Sequence, residues 1–130
     1  MYSHVTNSVT VNVEPVYLED ESEPDRDYFL WAYTISIENQ GESAIRLRSR
    51  HWRITDRNGR VQEVRGEGVV GEQPVLSPGE SFEYTSGVPL STPSGIMVGA
   101  YVMETEGGDS FTVAIPAFSL DSPFDQHRVH

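Results

Sequence analysis

Seven arginines, Arg46, Arg48, Arg50, Arg53, Arg57, Arg60 and Arg65, fall within one twenty-residue stretch of a chain that is otherwise acidic. A guanidinium offers paired N–H donors to phosphate or carboxylate oxygens, so such a cluster suits an anion or an acidic peptide. Arg46, Arg48 and Arg50 alternate, and in a regular strand they share one sheet face. The same residues also suit cross-strand pairing with acids such as Glu38, Glu63 and Glu83. Directly after Arg65 comes GEGVVG, Gly66 to Gly71. It fits G-x-G-x-x-G, the pattern of a dinucleotide-binding loop. In that role the glycines follow a buried strand and open a helix, whose N-terminus holds the pyrophosphate. Here Pro74 and Pro78 lie within eight residues of Gly71, and a proline inside a helix costs ~3 kcal/mol. No βαβ alternation surrounds the motif, so a dinucleotide fold is excluded. Two readings remain for Gly66, Gly68 and Gly71. Their backbone presents N–H groups to an anion, with Arg65 beside it. Alternatively, they let a connecting loop turn and pass close to its neighbours.

Other reactive side chains form weaker patterns. His51 with Asp56 or Glu63 is a conceivable metal set, but His4, His51, His127 and His130 show no ligand spacing. A hydrogen-bonded strand position beside a core Trp52 fits His51 better. The stretch LEDESEPDRD, Leu18 to Asp27, carries six acids. It attracts Mg²⁺ or Co²⁺ only loosely, because nothing fixes an octahedral oxygen set; it reads as a solvated, mobile loop. Ser86-Gly87 lacks the strand-turn-helix context of a nucleophile elbow. There is no cysteine, hence no disulfide, thiolate metal site or thiol chemistry. The expectation is a chain without catalytic residues, resident metal or cofactor.

All nine basic side chains are arginine, against 20 acids, for a net charge of −11. That balance repels nucleic acid at long range. No apolar run approaches the roughly 20 residues needed to span a bilayer, so membrane insertion is not expected. The opening MYSHVTNSVTVNVEP alternates and lacks the apolar core of a signal peptide, which points to a cytoplasmic protein.

Almost every segment has period two. Val9, Val11 and Val13 share a face, as do Phe29, Trp31, Tyr33, Ile35 and Ile37, and Phe111, Val113 and Ile115. GIMVGAYVME is apolar on both faces and predicts a central strand covered on both sides. Turns fall at Asn39–Gly41, Asn58-Gly59, Pro78-Gly79 and Gly107-Gly108, Asn58-Gly59 being a two-residue hairpin signal. About seven strands result, near 5–17, 28–39, 44–56, 61–66, 80–88, 95–104 and 110–118. This is an all-β, immunoglobulin-like or fibronectin type III-like antiparallel sandwich. The predicted interior includes Val11, Val13, Trp31, Tyr33, Ile35, Trp52, Ile54, Val98, Val113 and Ile115. Ile45 and Leu47 have the opposite parity to Trp52 and Ile54, which predicts a β-bulge near Ser49–His51.

Arg50-His51-Trp52, Gly66-x-Gly68-x-x-Gly71-x-Gln73-Pro74, Pro78-Gly79 and Tyr84-x-Ser86-Gly87 resemble the ApaG family. The resemblance runs from about Val9 to Pro123 and implies a fibronectin type III-like sandwich, one domain over residues 1–125 with a C-terminal tail at 126–130. It implies a link to cobalt resistance and magnesium efflux, and gene neighbourhood with a diadenosine tetraphosphate hydrolase. Related domains in eukaryotic F-box proteins and in a polymerase-δ-interacting protein look like protein-binding modules. The family supplies no established catalytic residues to carry over. The reading that follows is a non-enzymatic protein-interaction module, tied indirectly to divalent-cation homeostasis. Its expected contact surface joins Arg46, Arg48, Arg50 and Arg65 to the Gly66–Gly71 loop, with self-association through a sheet edge as a competing use. The alternatives are phosphate or pyrophosphate binding at that loop, and direct Co²⁺ or Mg²⁺ binding.

Overall fold

Strict alternation gives strands with one buried face, and such strands bury it by pairing into sheets that stack. The computed structural model describes residues 1–124 and contains nine strands: β1 (Tyr2–Thr6), β2 (Val9–Tyr17), β3 (Phe29–Asn39), β4 (Ile45–Asp56), β5 (Val61–Glu67), β6 (Val75–Leu76), β7 (Ser81–Leu90), β8 (Gly95–Thr105) and β9 (Ser110–Leu120). One antiparallel sheet runs β1-β2-β3-β7 and the other β5-β4-β8-β9, with the short β6 paired to the start of β4. Val11, Val13, Trp31 and Ile35 from the first sheet meet Leu47, Trp52, Tyr101 and Ile115 from the second in a buried core. The two long sides of this sandwich differ. On one, β1 reaches β9 through the Thr6 hydroxyl, which accepts the Ala114 N–H, and the Tyr2 hydroxyl, which accepts that of Ser119. On the other, β5 and β7 are edge strands with no pairing between them.

The expected sandwich is present, with local departures. The first expected strand is a hairpin: Asn7 and Ser8 take φ of 47° and 65°, and Thr6 stands opposite Val9. Asn tolerates this left-handed backbone, and a two-residue turn with both φ positive matches strand twist. The turn puts Val5 opposite Thr10 and leaves it exposed, although Val5 continues the parity of Val9 and Val11. Asn58-Gly59 does not form a two-residue turn. Only Gly59 has positive φ; the Asp56 carbonyl accepts the Gly59 N–H, the Arg60 carbonyl accepts the Asp56 N–H, and the Asp56 carboxylate takes the Asn58 and Arg60 N–H groups. Pro78-Gly79 sits at the centre of a tight turn, as expected, with Gly79 at φ 87°.

Leu18–Asp27 is the hairpin connection between β2 and β3 and folds into two single 3₁₀ turns, with the Ser22 hydroxyl tying Leu18 to Leu30. The interior assignment fails at Val98. β8 is central in its sheet, but its outer face is bare: Ile96 is 54%, Val98 40% and Val102 37% exposed. Nothing in the alternation of one strand tells whether a second layer covers its far face. The expected tail at 126–130 lies outside the described residues.

Candidate functional site at the arginine strand

The phase change in β4 falls one residue before the expected stretch Ser49–His51. Its pairing with β8 shifts between Leu47 and Ser49, so Arg48 is the extra residue. A bulge puts two residues against one and switches which side chains face inward. Before it, Ile45 and Leu47 are buried and Arg46 and Arg48 exposed; after it, Trp52 and Ile54 are buried and Arg53 exposed. Arg50 falls on the inward side. It stands between buried Tyr101 on β8 and Gly66 on β5. The four candidate arginines therefore do not share a face: Arg46, Arg48 and Arg65 point outward and Arg50 points between the sheets. The regular strand needed to keep Arg50 with Arg46 and Arg48 is interrupted at Arg48.

The glycine run is organised around that inward arginine. A Cβ on Gly66 would lie 2.8–2.9 Å from the Arg50 guanidinium, so this position makes room for it. Arg50 Nη1 donates to the carbonyls of Gly68 at 2.8 Å and Glu67 at 3.2 Å. Gly68 has φ 61°, and a Cβ there would strike the Glu72 carbonyl oxygen. Val69 and Glu72 exchange both backbone bonds at 2.8 Å around Val70 and Gly71, whose φ values are 43° and 81°. Val69 itself is fully buried. The Gly68, Val69 and Glu72 N–H groups thus donate to carbonyls of this chain, Gly68 to that of Arg48. Gln73 Nε2 donates to the same Arg48 carbonyl at 2.8 Å, so the loop is sewn onto the bulge.

Between β5 and β7 lies a cavity of about 240 Å³. Arg50, Tyr33, Gln62 and Ser86 supply its polar side chains, while Trp52, Val64 and Val88 line its apolar walls. Ser86 pairs with Tyr33 in register, which brings its hydroxyl to the same side of the cleft as the phenol. Burial raises the Tyr33 pKa above its ordinary value, with Ser86 and the Arg50 charge opposing. Behind it, Tyr84 and Tyr101 share a buried hydroxyl–hydroxyl hydrogen bond. Burial raises both phenols well above the usual tyrosine range, so all three stay neutral, and within the pair one hydroxyl donates and the other accepts. Sequence reasoning missed Tyr33, Ser86 and this tyrosine pair as site residues. The signal was present: once the bulge is placed at Arg48, Arg50 and Ser86 occupy inward positions where alternation calls for apolar side chains.

On the outer face, cross-strand neighbours form rows: Val98, Arg53 and Glu63; Ala100, His51 and Arg65; Ile96, Thr55 and Val61. His51 Nε2 and Glu63 Oε1 are 2.8 Å apart, and Arg65 reaches the same oxygen at 3.4 Å. The His51 hydrogen bond, helped by the Arg65 and Arg53 charges, holds the Glu63 carboxyl below its ordinary pKa. Arg48 lies 3.9 Å from Glu104. Cross-strand pairing therefore uses Glu63 and Glu104; Glu38 and Glu83 are on the other sheet. Among the described residues, no group of three or more His, Cys, Asp or Glu is placed to hold a metal ion.

A family model for the ApaG domain matches residues 19–105, which takes in the bulge, the glycine loop and the cleft. The chain belongs to the ApaG family. Protein ApaG of Parvibaculum lavamentivorans is 62% identical over 130 residues, all of both chains. Protein ApaG of Rhodospirillum centenum is 62% identical over 128 residues, 98% of each. A crystal structure of a Bordetella pertussis protein named ApaA superposes with a TM-score of 0.86 at 51% identity, covering 89% of this chain and 94% of that one. The ApaG resemblance carried by Arg50-His51-Trp52 and the glycine run is thus a family relationship. In this ApaG chain those two motifs meet as one unit, because Arg50 and Gly66 are direct cross-strand partners.

Proposed function

We propose that this ApaG domain is a non-enzymatic protein-interaction module whose contact face is the outer surface of the β5-β4-β8-β9 sheet. The observation that carries this is the uncovered central strand. Ile96, Val98 and Val102 stand exposed in a row on β8, flanked by Arg46, Arg48, Arg53 and Arg65 in a chain of net charge −11. An apolar strip on a sheet, edged by Arg46 and Arg53 and by the Arg48–Glu104 and Arg65–Glu63 pairs, fits a protein segment that carries apolar side chains and carboxylates able to compete for those arginines. Arg53 takes the place that the sequence alone assigned to Arg50. The glycine loop contributes by pinning the bulge that keeps Arg46 and Arg48 outward. A link to divalent cations would then run through the partner, in keeping with the loop-borne acids and scattered histidines of the sequence.

The test is affinity capture from native cytosol with wild type, Val98→Glu and the Arg46→Glu/Arg48→Glu/Arg53→Glu variant, each shown folded by circular dichroism. A partner retained by wild type and lost by both variants is the expected result. The same proteins captured by all three would refute the assignment of this face. Equilibrium dialysis checks the alternative: one Co²⁺ bound per chain at low micromolar affinity would replace the indirect cation link with a direct one.

A further inference from the structure

We propose that the cleft between β5 and β7 is a binding site for a small organic carboxylate with an apolar body, held by Arg50. The site is separate from the outer face and independent of any partner bound there.

Polarity in the wrong place is the first argument. Arg50 on β4, Ser86 on β7 and Gln62 on β5 all occupy inward-facing positions, and all three line one cavity. Sequences that otherwise follow their alternation break it at functional sites. The second argument is the state of the guanidinium. Nη1 is committed to the Gly68 and Glu67 carbonyls. Among the described residues, Nη2 and Nε hydrogen-bond to nothing and no carboxylate comes within ion-pairing distance of Arg50. Both atoms are open to solvent rather than buried, so they are available to a ligand, and in a chain with 20 acids the lack of a carboxylate beside them is specific. No Asp or Glu lines the cavity. The direction Nη2 and Nε leave open is a two-donor fork, the geometry that meets a carboxylate side-on.

Size and walls define the rest of the ligand. At about 240 Å³ the cavity lies below the roughly 300–1,000 Å³ of drug-sized pockets, so it takes a benzoate-sized molecule and not a nucleotide. Trp52, Val64, Val88 and Met97 face an apolar body. Tyr33 and Ser86 offer hydroxyls to a carboxylate oxygen. One guanidinium with no second cation matches a single negative charge rather than the two of a phosphate monoester.

The test is an NMR titration of the full-length ¹⁵N-labelled chain with benzoate, benzamide and phenyl phosphate. Benzoate is expected to saturate with a Kd on the order of 1 mM or tighter, moving the amides of Tyr33, Arg50, Ser86 and Val88. Benzamide, the same shape without the charge, should bind at least tenfold more weakly, and phenyl phosphate no more tightly than benzoate. Arg50→Met should abolish saturation. Because that change also frees the Gly68 carbonyl, Gln62→Trp serves as a second variant: Gln62 is exposed at the lip, so an indole there closes the mouth without touching the Arg50 bonds. A folded Gln62→Trp chain should lose at least tenfold in benzoate affinity. No saturation by about 20 mM, benzamide equal to benzoate, tighter binding of phenyl phosphate, or full affinity in Gln62→Trp would each overturn the proposal.

Discussion

Gly66, Gly68 and Gly71 belong to one sequence motif but answer to three different constraints. Gly66 yields space to a side chain, Gly68 yields space to a carbonyl, and Gly71 supplies only a backbone angle. Alanine at Gly68 meets the Glu72 carbonyl and forces a left-handed φ at once, so it should cost about 2–4 kcal/mol. Alanine at Gly71 meets nothing within 4 Å and should cost about 1 kcal/mol for φ alone. Urea denaturation of the two variants checks the order; equal losses would mean that the loop has repacked. The tyrosine pair makes a second residue-scale prediction. Tyr84→Phe leaves the buried Tyr101 hydroxyl without its partner and should cost about 1–3 kcal/mol, while Tyr84→Phe/Tyr101→Phe should cost clearly less than the sum of the single changes. Tyr33, Tyr84 and Tyr101 have phenols raised in the fold. Their contribution is complete below the unfolded tyrosine value of about 10 and is lost as pH rises from there toward the raised values. Denaturation midpoints should therefore fall above about pH 10, less steeply in the double Phe chain.

At the scale of elements, the start of β4 depends on a side chain from β3. Asn39 is buried, and its Nδ2 donates to the Ser43 and Leu76 carbonyls at 2.9 Å while Oδ1 accepts the Gly41 N–H at 3.0 Å. Three backbone groups, in the β3–β4 turn and in β6, are satisfied by one amide. Asn39→Leu keeps most of the volume and removes every bond. It should cost about 2–4 kcal/mol, with faster amide exchange concentrated in residues 41–47 and β6. Uniform loss of protection across both sheets would show that Asn39 acts on the whole fold instead. The other element-scale device, the Arg48 bulge, was legible as a parity conflict between Leu47 and Trp52. Its position was not, because parity shows that a slip occurs but hydrogen bonding chooses the residue. Here the Arg48 carbonyl is claimed by Gly68 and Gln73, which settles the slip next to Arg48 and sends Arg50 inward.

For the whole molecule, the asymmetry of the two sheets matters most. Val98 and Val113 are both strand valines in the same sheet, yet Val98 is 40% exposed and Val113 fully buried. Val98→Thr should change stability by less than about 0.5 kcal/mol, and Val113→Thr should cost about 1–3 kcal/mol by burying an unpartnered hydroxyl. Chemical denaturation of the pair measures which face of the sheet is covered, and similar losses would mean that something packs on the outer face in solution. No helix among the described residues is long and apolar enough to cross a membrane.

The sequence by itself determined the two-layer all-β class, most of the strands, the inward parity of Trp31, Ile35, Trp52 and Val113, the Pro78-Gly79 turn and the lack of a helix opening at GEGVVG. These follow from local chemistry: alternation, turn residues and the incompatibility of proline with a helix. Tertiary structure alone decided that Asn7-Ser8 reverses the chain, that β8 is bare outside, and that Arg50 leaves its neighbours for the cleft. Each depends on a partner distant in the chain. A left-handed Ser8 gains its stability from the β1–β2 ladder, coverage of β8 depends on whether another layer exists, and the direction of Arg50 depends on a glycine sixteen residues away that leaves room for its guanidinium.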